Sequence, residues 1–110
     1  MAASKDDAML MVQLLALGAQ TGLNDAMSHV MRPGFDPDQV DASDKPVQTI
    51  LNFGETVATF VKQGLLDKDL VHDLLWLEGM WTKVGPAALK VREAAGEKRL
   101  YENFEALAKG

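Results

Sequence analysis

The chain has 110 residues, 47% hydrophobic and 25% charged, with a formal net charge of −5, a composition that fits one globular domain and not a disordered segment. It contains no cysteine, which excludes disulfide scaffolds, thiolate zinc sites, iron–sulfur clusters and cysteine nucleophiles. An acidic chain repels nucleic-acid backbones and anionic lipid surfaces, so neither is an expected partner. The balance is uneven: residues 1–82 hold five basic and twelve acidic side chains, residues 83–110 six and four. Such asymmetry is compatible with head-to-tail or antiparallel self-association, but an uneven solvated surface is the favoured reading.

The longest apolar stretch near the start is Met9–Leu17, interrupted by Gln13. Nine helical residues rise about 14 Å, half of what a bilayer core requires. A signal peptide wants a basic start, and here Lys5 is followed by Asp6 and Asp7. The expectation is a cytoplasmic protein with no membrane span.

Helical periodicity dominates, with no internal repeat and no stretch of strand-like alternation. The first helix is expected from Ser4, where Ser4 and Asp7 form a capping box with Asp in place of Glu. Leu10, Leu14, Leu17, Leu23, Met27 and Val30 give it one face. Gly18 and Gly22 interrupt that face, at up to about 1 kcal/mol each against alanine. One long helix, straight or bent, is predicted to run through them and stop at Met31 or Arg32, before Pro33-Gly34. Residues 33–46 read as a long Pro/Asp-rich loop able to cross the end of a bundle.

A second helix is predicted from Pro46, capped by Asp44 or Ser43. Ile50, Phe53, Val57, Phe60 and Val61 form its apolar stripe, and Gly64 its C-terminal cap. A third opens with Asp67 as cap and Asp69 in the first turn. Its faces carry Leu70, Leu74, Leu77, Trp81 and Val84, and, on a more polar side, Trp76 with Met80. Gly85-Pro86 is expected to end it. A fourth helix over about 87–95 and a last one over about 97–108, with Leu100, Phe104 and Leu107 inward, complete the chain. The expected class is all-α: an antiparallel bundle of four to five helices in one domain, with a long N-terminal helix.

The chemistry-bearing patterns are incomplete. Asp25 with His29, and Asp69 with His72, have carboxylate–histidine spacing for a metal. A di-iron bundle needs two Glu-x-x-His units, and neither Glu55 nor Glu78 is followed by histidine in that register. The loop acids Asp36, Asp38, Asp41 and Asp44 fail the calcium-loop spacing, because the sixth position is Asp41 and the twelfth Val47. No Gly-x-Ser-x-Gly or phosphate-binding loop is present. No enzymatic activity and no cofactor are expected.

From Ile50 to Lys109 the residues Asn52 and Glu55, Gly64 and Asp67, Trp81, Pro86 and Arg92, and Tyr101 through Ala108 resemble a bacterial family of small helical domains of unknown function. Members show Asn-x-x-Glu, a Gly plus Asp turn, Trp, Pro, Arg and a Tyr-Glu-Asn-Phe-Glu-like helix in that order. The resemblance implies a small helical domain and supplies no activity. Relatives often carry a transmembrane helix before the domain; the first helix here is too short in apolar length for that, so a membrane role is not carried over.

The matched polar residues suggest a structural network in which Glu55 and Arg92 pair between helices and Asn52 adds a hydrogen bond. The same arginine could alternatively serve a ligand pocket. For function, the expectation is a non-enzymatic protein-interaction module, self-associating as a homodimer. A bundle of this size is not expected to cover all of the first helix, so Leu10, Leu14 and Leu17, together with the Trp76–Met80 pair, are the candidate partner contacts. The alternatives are an acidic decoy that occupies a basic, nucleic-acid-binding surface of another protein, and, with less behind it, a metal-binding helical-bundle enzyme.

Overall fold

The structure is a computed structural model describing residues 2–110. Six helices follow in order: α1 (Lys5–Gln20), α2 (Leu23–Val30), α3 (Lys45–Lys62), α4 (Lys68–Leu74), α5 (Leu77–Ala95) and α6 (Glu102–Lys109). The described residues contain no strand. The all-helical class agrees with the sequence, whereas the count of four to five helices and the long first helix do not.

Local signals set several helix starts. Ser4 Oγ accepts the Asp7 N–H at 3.1 Å, and Asp7 Oδ2 accepts the Ser4 N–H at 2.7 Å, completing the capping box. Asp44 caps α3 through the Val47 N–H at 3.1 Å, with Pro46 in the first turn. Asp67 caps α4 through the Leu70 N–H at 2.9 Å. Asp7 also reaches across the fold: its Oδ1 accepts the Asp67 N–H at 3.1 Å, joining the start of α1 to the start of α4.

The predicted continuous first helix is broken at Thr21-Gly22. Gly22 takes φ +86°, a left-handed conformation that glycine adopts without Cβ strain. The change of direction after α1 lets Leu23, Ala26 and Val30 bury against α3. Burying side chains of this kind contributes about 1.5–3 kcal/mol for each large aliphatic one, more than the helical hydrogen bonds forgone at the break.

The expected third helix is also two. Leu75 is extended (φ −128°, ψ 134°), and α5 restarts after Trp76. It then runs through Gly85-Pro86, which was expected to end a helix. An interior proline costs about 3 kcal/mol. Met80, Val84, Ala87 and Ala88, all buried along one face of α5, offset that cost. The glycine before Pro86 carries no Cβ to meet the proline ring.

Helix α3 is the centre of the molecule. Val47, Ile50, Leu51, Val57 and Ala58 are fully or almost fully buried, and α2, α5 and α6 pack around it. The buried side chains form one cluster that draws on every helix. The segment between α2 and α3 crosses toward α5, where Lys90 Nζ donates to the carbonyls of Asp38 (2.9 Å) and Val40 (2.8 Å). No helix among the described residues is long and apolar enough to cross a membrane.

Candidate functional site

The polar residues singled out in the sequence do not form the expected network. No Glu55–Arg92 pair forms among the described residues, and Asn52 is exposed, its carbonyl accepting the Thr56 hydroxyl at 2.8 Å. Glu55 and Arg92 instead hold α6 from separate sides. Helix α6 has no side-chain cap of its own, because its cap position is Tyr101 in the left-handed region (φ +60°). Glu55 supplies the missing acceptor from α3: Oε1 takes the Phe104 N–H at 2.9 Å, and Oε2 takes Asn103 Nδ2 at 2.9 Å and the Thr59 hydroxyl at 3.1 Å. A carboxylate at a helix N-terminus also meets the positive end of the helix dipole.

On the other side, Arg92 Nε donates to the Leu100 carbonyl at 2.7 Å and Nη1 pairs with Glu105 Oε1 at 3.0 Å. Its guanidinium lies 5.9 Å from the Trp81 ring centroid. Glu105 is also bound by Lys109 at 2.8 Å. Of the three polar residues named from the sequence, Glu55 and Arg92 contact α6 through partners other than those expected, and Asn52 does not reach it. Asn103 and Glu105 were missed because a pairing between helices leaves no local spacing to read.

These contacts make stability depend on pH. Lys109, and then Arg92, hold the Glu105 carboxyl below the ordinary glutamate value of 4.5. A carboxyl whose folded pKa is depressed contributes stability above its unfolded pKa and loses it as pH falls through the folded one. Hydrogen bonds from Ser4 lower Asp7, and hydrogen bonds from Ser43 lower Asp41, so all three act in the same direction. The melting temperature should fall on acidification through the carboxylate range. Glu105→Gln should melt lower at neutral pH and show a shallower acid limb, checked by circular dichroism; an unaltered limb would exclude Glu105 as a contributor.

The side chains proposed as a contact surface separate in the structure. Trp76 is 70% exposed but Met80 is 3% exposed, because the break at Leu75–Trp76 turns them apart. Leu14 is a core residue at 4%, Leu10 is half-buried, and only Leu17 of that trio lies open. The exposed apolar face of α1 lies elsewhere. Met11, Leu14 and Gly18 face inward, while Met9 (63%), Val12 (65%) and Leu15 are exposed, flanked by exposed Ala8, Ala16 and Ala19. No charged residue occurs from Ala8 through Asn24. That run is the signal that α1 has two apolar faces, one of which its own core cannot use.

Asp25–His29 and Asp69–His72 remain on separate helices, and no group of three or more potential metal-ligating side chains converges among the described residues. His29 faces Asp44 at 3.7 Å and the edge of Phe35. An open groove of about 500 Å³ runs between α3 and α6, lined by Val61 and Leu107 with Lys62 and Lys68 among its walls. Two of its polar groups already have partners within the fold: Lys68 reaches the Gly110 carbonyl at 2.6 Å, and Asn103 is held by Glu55. A family model described as a domain of unknown function, DUF4760, matches residues 11–110. No curated protein and no solved structure matches the chain.

Proposed function

The chain belongs to the DUF4760 family over residues 11–110, and we propose that it is a non-enzymatic protein-interaction module that self-associates through the outer face of α1. The observation that carries this reading is the exposed Met9–Val12–Leu15 surface on a helix with no charge beyond its first turn. Exposed apolar area in one continuous strip is costly in water and is recovered when a partner covers it. The polar cluster is a poor alternative site: the Glu55 and Glu105 carboxylates are spent on anchoring α6 and Arg92 is held through Nε and Nη1, its Nη2 being buried without a partner.

The acidic-decoy reading has less support. Asp36, Asp41 and Asp44 direct carboxylate oxygens to the N–H groups of Asp38, Ser43 and Val47 within their own segment and the start of α3.

Sedimentation velocity over a concentration series tests the reading. The mass should rise from 12.0 kDa toward the dimer. Val12→Glu should hold it at the monomer value while the melting curve stays within about 0.5 kcal/mol of wild type, as for a surface substitution. A wild-type monomer at the highest concentration overturns self-association. A dimer that survives Val12→Glu moves the contact away from α1.

A further inference from the structure

We infer that the occupant of the α1 face is a second copy of the same helix, packed antiparallel about a two-fold axis; this rests on the self-association proposed above and specifies its geometry. The outer seam is Ala8, Val12, Leu15 and Ala19, all exposed and spaced by four, three and four residues, the spacing of a helix–helix contact line. Read from either end, the seam runs small, large, large, small. A two-fold antiparallel pairing sets Val12 against Leu15 of the second copy at the centre, and Ala8 against its Ala19 at both ends. The alanines keep the two ends of the seam free of bulk beyond the central Val12–Leu15 contacts, and the same patch serves both partners, as an isologous contact requires.

Charge selects the antiparallel sense. Helix α1 has Asp6 and Asp7 in its first turn and no basic side chain in its last. A parallel pairing sets Lys5, the charged residue nearest the seam line, beside its own copy and like helix ends together. The antiparallel pairing carries Lys5, one step further along the same seam, to the C-terminal turn of the partner helix, where a cation is favourable. The area is modest. Sixteen residues make a helix about 24 Å long, and covering its outer half removes roughly 400 Å² per copy. The total lies at the low end of specific contacts, so the pairing is a reversible one.

The absence of native cysteine makes disulfide trapping a direct test. Ala8→Cys and Ala19→Cys change exposed positions. A mixture of the two full-length variants, oxidised under conditions where wild type sediments as a dimer, should give the mixed disulfide dimer at least tenfold faster than either variant alone. In the antiparallel pair two copies of residue 8 lie about 16 Å apart along the axis, beyond the roughly 4.4–6.8 Å Cα separation a disulfide spans. Rapid trapping of Ala8→Cys with itself would establish the parallel pairing and overturn the inference. Dimer without any trapping would place the contact on another face and overturn it as well. A monomeric wild type is a separate failure, that of self-association itself.

Discussion

Phe104→Ala should destabilise the protein by about 3–5 kcal/mol, the cost of emptying a fully buried aromatic site. Phe104 is 0% exposed, and its ring meets Trp81 edge-on with centroids 5.1 Å apart. It lies over Gly54 of α3, where any added Cβ would overlap the ring. Helix α6 has only eight residues, and an isolated helix of that length is not stable in water. Removing its main anchor should release it, so urea unfolding should show a lower midpoint and the near-ultraviolet signal of Trp81 should weaken. Against a typical domain stability of about 5–15 kcal/mol, this is a large fraction.

The same contact gives a sign test at Gly54. By helix propensity alone, Gly54→Ala should gain up to about 1 kcal/mol in the middle of α3. In the native background the added methyl collides with Phe104, and a net loss of about 1–3 kcal/mol is expected. In the Phe104→Ala background the collision is gone, and the same substitution should become neutral or stabilising. A double-mutant cycle in urea measures this directly. Equal losses in both backgrounds would show that something other than the Phe104 ring requires glycine at this position.

Glu55→Ala should cost about 2–3 kcal/mol. Its carboxylate accepts the Phe104 N–H and the Asn103 amide, and bonds to a charged acceptor contribute about 1.5–3 kcal/mol. Glu55→Gln keeps an oxygen for the Phe104 N–H and loses the charge that favours the α6 N-terminus, so it should recover roughly half of the loss. Hydrogen exchange gives the location: Phe104 and its neighbours in the first turn of α6 should exchange faster in Glu55→Ala, with α2 and the body of α3 unchanged. Protection lost evenly across the protein would mean that Glu55 supports the core and not that helix end.

Interaction with the solvent and with near neighbours explains which features could be read from residue order. Ser4 with Asp7, Asp44 with Val47, and Asp67 with Leu70 are contacts across three residues, and each was legible because the bonding atoms are close by covalent connection. The stripe of α3 was legible for a similar reason: a central helix buries its face in any compact arrangement, and Ile50, Phe53 and Val57 repeat at the helical period. Glu55 and Arg92 were singled out by the family resemblance, but their partners lie many residues away or in a turn whose course was not readable.

Helix identity, helix caps and the apolar–polar division of each face thus came from the amino-acid order, because they depend on interactions over three or four residues. The breaks at Thr21-Gly22 and Leu75-Trp76, the passage of α5 through Pro86, the parting of Trp76 from Met80 and the choice of which α1 face is left outside came from packing. In each of these the local preference is worth about 1–3 kcal/mol. Burial of several side chains against α3 exceeds that sum, and burial depends on which distant segments meet.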